Sequence, residues 1–369
     1  MILGSFGGSK TFYHRDGSTA VPRLTSRHSA LYIYSETSRM VYHEVRSKKQ
    51  NDGREPMNNP LFFSPKSRRK SSALFFSLLL LFLAACSGGN SRSVSGWGYR
   101  GSGPGRFSSP RAIAVQANFV YVIDRTGRVQ KFRQDGTFVL QWRLDKQEHG
   151  TPTGVSLDVE GNVWIPDTHN SRILEYNPDG QLLLSFGEYG EEPGRFVYPT
   201  DIAFGDQGEL FILEYGKQDR IQVFSRSGVY LRHWGDFGSG PEQFNRPMGI
   251  ARGKDGILFV SDSVNHRIKA YTQAGQLLRI LGRKGNGKGE FQFPYALDAD
   301  LEGNLYVCEF GNHRIQKISP DGQCLGIWGS LGSGDRQLAE PWGVAVENGK
   351  IFVADTQNHR IQVFISFSL

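Results

Sequence analysis

The chain has 369 residues, 45 of them glycine, with 12% aromatics and a formal charge of +7. High glycine alongside many aromatics argues against a helical protein and for short strands joined by turns. Residues 1–85 hold 13 Lys+Arg against 5 Asp+Glu, whereas residues 86–369 hold 30 against 31. The positive excess thus precedes the region that can fold, which excludes the main electrostatic argument for a nucleic-acid partner.

In chain order, residues 1–56 carry scattered Ser, Arg and Tyr without periodicity or an apolar core. They are expected to be an over-extended start or a disordered extension, with the true start at Met57. Residues 57–85 read as an export signal. Lys66, Arg68, Arg69 and Lys70 precede an 11-residue apolar stretch, Ala73–Leu83, too short for a membrane span of about 20 residues. Leu83-Ala84-Ala85-Cys86 resembles the cleavage box of bacterial lipoproteins. That resemblance implies lipidation of Cys86 and cleavage before it. Residues 86–95 would form a Ser/Gly tether, with Ser87 after the cysteine directing the anchor to the outer membrane in a diderm bacterium.

From residue 96 the chain repeats. Proline recurs at 110, 152, 199, 247, 294 and 341, at spacings of 42, 47, 48, 47 and 47. Each proline is followed by three apolar runs, for example MGIAR, ILFVSD and RIKAY in the fourth repeat. A fourth run ends in Trp or Phe plus Gly in most repeats. Runs of 4–6 residues rich in Val, Ile, Phe and Tyr between Gly, Asp and Asn turns predict antiparallel strands. Four strands per ~47 residues, repeated six times, predict an all-β, six-bladed propeller over 96–369. The sixth repeat lacks its fourth run, which appears instead as Val94-Ser95-Gly96-Trp97-Gly98. This segment is expected to pair with Arg360–Phe364 and close the ring.

Asn265-His266-Arg267-Ile268, Asn312-His313-Arg314-Ile315 and Asn358-His359-Arg360-Ile361 resemble the signature of the Asn-His-Leu (NHL) repeat. Repeat two departs from it with Asn170-Ser171-Arg172-Ile173, repeat three with Gln218-Asp219-Arg220-Ile221, and repeat one with Thr126-Gly127-Arg128-Val129. The resemblance implies the fold and leaves function open, since binding scaffolds and enzymes share it. Six acids end the second strands (Asp124, Asp167, Glu214, Asp262, Glu309, Asp355) and six arginines open the third. A catalytic residue is needed once, so these are read as a loop clamp. Cys308 and Cys324, separated by a strand, are read as buried thiols without an intrablade disulfide.

The residue after each proline differs while its frame repeats: Arg111, Thr153, Thr200, Met248, Tyr295 and Trp342. These are expected to ring the channel mouth, with Met248, Tyr295 and Trp342 forming an apolar arc and the other three a polar one. Variation on a repeated frame is where a site would be written. The reading is a monomeric scaffold, lipid-anchored in the bacterial cell envelope, that takes a protein, peptide or glycan on its loop face. The alternative is a metal-dependent enzyme like the propeller lyases and lactonases. His149, His169 and Asp201 are the weak ligand candidates for such a metal, Zn or Ca.

Overall fold

The computed structural model describes residues 95–145 and 150–366. The segments 1–56 and 57–85, the tether up to residue 94, Cys86 and His149 lie outside the described residues.

Six four-stranded antiparallel sheets appear, one per repeat. Blade 4 shows the plan, with inner strand Pro247–Arg252, then Leu258–Asp262, Arg267–Tyr271 and outer strand Leu277–Leu281, each paired with the next. Its second strand is buried at every residue, because neighbouring blades cover both faces of the sheet. One such contact joins Leu213, Ile221 and Val223 of blade 3 to Ile250, Leu258, Val260 and Tyr271 of blade 4. The aromatic ending an outer strand lies on the turn glycine of the next blade. A Cβ on Gly180 would sit 2.8 Å from Trp142, and one on Gly275 2.9 Å from Trp234. Both glycines have positive φ, so two independent constraints exclude a side chain there.

The ring closes as expected. Ser95–Trp97 pairs antiparallel with Arg360–Ile365, in the register Ser95↔Val363 and Trp97↔Ile361. The Trp97 ring bridges the seam, 6.0 Å from Phe132 of blade 1 and 6.1 Å from Phe352 of blade 6. The N-terminal strand thus supplies the outer strand of blade 6, which completes that sheet at four strands.

Two details differ from the sequence reading. In blade 2 only Ser156–Leu157 of the inner run joins the ladder. Thr153 turns sideways, its Oγ1 3.2 Å from Thr168 Oγ1 and 3.3 Å from the Thr200 carbonyl. Cys308 and Cys324 are both free thiols, but only Cys308 is buried. Cys324 opens an outer strand, Cys324–Trp328, whose far side no blade covers.

Candidate functional site

The repeated polar residues build one interlocked clamp per blade. In blade 5, Arg314 Nε donates to Glu309 Oε1 at 2.6 Å. Its other nitrogens donate to the carbonyls of Asn286 (2.6 Å), Gly287 (2.9 Å) and Glu290 (3.0 Å) in the loop that precedes the blade. Glu309 Oε2 accepts the Gln292 N–H of the same loop at 3.0 Å, and Asn312 Nδ2 donates to the Gly285 carbonyl at 2.9 Å. The acid–arginine ion pair recurs in all six blades, at 2.5–2.9 Å. A buried carboxylate and guanidinium satisfied this fully fix a Gly-rich loop that has few apolar contacts of its own.

The signature histidines reach further than one blade. Nδ1 of His266, His313 and His359 accepts the N–H of Phe293 (3.1 Å), Glu340 (3.1 Å) and Ser109 (2.9 Å) respectively. Each donor is the residue before the proline of the next blade, with φ near +50°. That left-handed conformation costs a non-glycine residue about 1–2 kcal/mol, and the imidazole holds it in place. In blade 3, Asp219 does the same for Arg246 N–H, at 2.5 Å. Burial lowers the pKa of all three histidines, so the neutral, accepting form is favoured.

The mouth is built from residues outside this frame. A channel of about 610 Å³ runs through the inner strands, lined at one end by Arg111, Thr153, Met248, Tyr295 and Trp342 and at the other by the exposed Val159, Glu160, Asp206 and Arg252. Tyr295 lies 4.7 Å from Trp342, edge to face, and 4.7 Å from Phe310, stacked. The Arg111 guanidinium lies over the Trp342 ring at 4.6 Å, so Arg111 joins the aromatic arc. Thr200 is fully buried and its hydroxyl donates within the frame, 3.4 Å from the Leu213 carbonyl and 3.3 Å from that of Pro247. Thr153 is likewise engaged by Thr168 and Thr200.

Other residues complete the mouth. Tyr198 and Tyr215 stack at 5.1 Å, His169 lies 5.7 Å from Tyr198, and Arg246 lies over Tyr215 at 5.1 Å. Desolvation lowers the Arg111 pKa to about 10, and the nearby charges of Arg125 and Arg246 also act to lower it. Sequence reasoning missed Arg125, Tyr215 and Phe310, which directly follow the clamp acids of blades 1, 3 and 5. The same position in blades 4 and 6 holds Ser263 and Thr356, whose hydroxyls donate to the carbonyls of Pro294 and Pro110. Variation at that position was a readable signal. Arg246, just before a proline, carried none.

The metal candidates do not gather. Among the described residues no three His, Cys, Asp or Glu side chains come together as a ligand set. His169 is at the rim, while Asp201 lies in the channel wall. Asp201 accepts the N–H groups of Ile250 and Ile202, both at 3.0 Å, and faces Ser156 Oγ at 3.4 Å. Burial pushes its pKa up to about 7; Asp298, two blades on, is pushed up to about 6 in the same way. His233 is on the outer strand of blade 3, 2.6 Å from the Tyr230 hydroxyl.

The sequence profile of the NHL repeat matches residues 244–271 and 338–364, each running from an interblade loop through a third strand. Among curated proteins, the chain is 26% identical to the brain tumor protein of Drosophila melanogaster over 76 residues, 20% of this chain and 7% of that protein. It is 29% identical to peptidyl-α-hydroxyglycine α-amidating lyase 1 of the same species over 99 residues, covering 25% and 18%. It is 30% identical to human NHL repeat-containing protein 3 over 131 residues, covering 32% and 36%. The matched stretches thus span about a third or less of these relatives. Among solved structures, a streptogramin B lyase superposes with a TM-score of 0.54 at 16% identity, covering 74% of this chain and 98% of the other. A gluconolactonase from Xanthomonas campestris gives 0.54 at 18%, covering 70% and 86%. At such identities the likeness is one of fold. The chain carries NHL repeats and forms a six-bladed β-propeller.

Proposed function

We propose that this protein is a binding propeller of the bacterial cell envelope, lipid-anchored through Cys86, that receives a segment of a partner protein at its channel mouth. The observation that carries the reading is a division of labour. Every repeated polar residue is engaged in the frame, while the once-only residues Arg111, Tyr295, Phe310 and Trp342 converge on the mouth. Aromatic and arginine side chains around a concave opening are the composition of binding hot spots. Ser95–Trp97 runs antiparallel to Arg360–Ile365, so its first residue lies toward the turn face, opposite the mouth.

A photo-crosslinking side chain at position 310 tests the mouth, with one at Leu301, 91% exposed in a blade-5 turn, as control. Discrete adducts in the envelope from 310 and none from 301 are expected; equal patterns, or none from 310, would overturn the reading. Radiolabelled palmitate incorporation that survives Cys86→Ala would remove the anchor.

The stretches shared with amidating lyases favour a second reading, an enzyme with its site in the channel. The described residues offer it no set of three metal ligands, and both Asp201 oxygens already accept hydrogen bonds. Stoichiometric Zn or Ca in the purified protein, lost with Asp201→Ala, would move the assignment to that reading.

A further inference from the structure

We infer that the mouth is a receptor for a peptide C-terminus, with Arg111 and Arg246 holding the terminal carboxylate and Met248, Tyr295 and Phe310 taking an apolar last side chain. This rests on the reading of the mouth as the binding site and names its ligand.

The arginines fall into two groups. The six that open the third strands each pair with an acid of their own blade. Among the described residues Arg111 and Arg246 belong to no ion pair, and the Nε of each, like that of the frame's Arg128, is buried with no hydrogen-bond partner. The one hydrogen bond from the Arg111 side chain to a described residue is a long one, 3.4 Å to Thr151 Oγ1, and the Arg246 side chain bonds the Tyr215 hydroxyl. Burying a guanidinium away from a carboxylate is costly, and the neutral partners of these two, Thr151 and Tyr215, do not supply one. A ligand carboxylate would supply the missing acceptor in the geometry a guanidinium matches best. The nearest acid on Arg246, Asp219, is turned to backbone, accepting the N–H groups of Gly216 (3.0 Å) and Arg246 (2.5 Å). Arg125, close enough to be felt by Arg111, adds to the positive potential at the rim.

Asp201 and Asp298 line the channel further in. Their oxygens are turned to backbone, Asp201 accepting the N–H groups of Ile250 and Ile202 and Asp298 those of Val346 and Ala299.

The walls select the rest of the ligand. A sugar ring stacks on an open aromatic face, but Arg111 covers Trp342 and Phe310 covers Tyr295, which is 9% exposed. What remains is ring edges and the pliable thioether of Met248, a lining suited to an aliphatic or aromatic side chain. Charge clamp and apolar wall meet at Trp342, within 4.6 Å of Arg111 and 4.7 Å of Tyr295. A carboxylate and an apolar side chain that close to each other are found on one Cα only at a chain terminus. An internal Asp or Glu carries its carboxylate and any apolar neighbour on different Cα atoms.

Calorimetric titration of the full chain in detergent tests this with N-acetyl-Gly-Leu-Phe as the free acid and as the C-terminal amide. N-acetyl-Gly-Phe-Asp amide, a galacturonate hexamer and inorganic phosphate are the competing probes. The free acid should bind about tenfold or more tighter than either amide, as expected for loss of a charge-assisted hydrogen bond. Arg111→Met should remove that preference and Arg111→Lys restore part of it, both with unchanged melting. Equal affinity for acid and amide overturns the carboxylate assignment, as does tighter binding of the galacturonate, of phosphate or of the internal aspartate. So does the absence of peptide binding. Failure here, with crosslinks from position 310 intact, leaves the mouth as the site and removes only its ligand; loss of both removes the site itself.

Discussion

Arg314 and Arg111 are the same residue type, both withdrawn from bulk water, in regions a few strands apart. Arg314 has a carboxylate at 2.6 Å and three loop carbonyls; Arg111 has an aromatic face and one long hydrogen bond. The difference teaches that partnering, more than burial, separates frame from site in this ring. A frame arginine has a carboxylate of its own blade, and among the described residues a mouth arginine has none.

The comparison breaks most visibly on the frame side. Glu309→Ala leaves Arg314 buried without its acid and should cost about 3–5 kcal/mol in urea unfolding; a loss under 1 kcal/mol would mean the clamp is not structural. Lys269 is a frame residue with the wrong chemistry. It occupies the position of Gln222, Gln316 and Gln362 in the neighbouring blades and is fully buried. Burial lowers its pKa to about 8, Asp262 opposing that shift. Because the folded state disfavours its charged form, stability should rise between pH 8 and pH 10.5. Lys269→Gln should abolish that rise and add roughly 2–3 kcal/mol at pH 7; a destabilised variant would count against the account.

The interblade pins give a smaller, pH-dependent effect. His266, His313 and His359 have folded pKa values below the ordinary 6.5. Their stabilisation is present above that value and is lost as pH falls through and below it. Asp201 and Asp298 act with the opposite sign: pushed up to about 7 and about 6, they favour the folded state as they protonate. Each His→Ala change should cost about 1 kcal/mol at pH 7.5 and less at pH 5, read from melting curves. Equal costs at both pH values would show that the imidazoles do not act as acceptors.

The fold was legible because a propeller writes its period into the chain: prolines about 47 residues apart, acids and arginines at fixed offsets, and a missing strand found at the other end. The acid–arginine clamp was legible for the same reason, its partners lying 4–6 residues apart. The histidine pins were not, since each acceptor meets a donor one blade away, 27 residues along for His266 and 250 for His359. At the mouth the varying position after each proline pointed to Arg111, Tyr295 and Trp342, which line the channel. It also pointed to Thr200, whose short side chain turns into the frame. Whether a hydroxyl bonds backbone or faces the lumen depends on interblade geometry that no local pattern encodes.

The most direct test sets Arg111→Met beside Arg314→Met in urea unfolding at pH 7.5. The account predicts that Arg314→Met loses about 3 kcal/mol or more, while Arg111→Met stays within about 0.5 kcal/mol of the parent or gains. A loss at Arg111 equal to that at Arg314 would make it one more piece of the frame and contradict the claim that the mouth is a site.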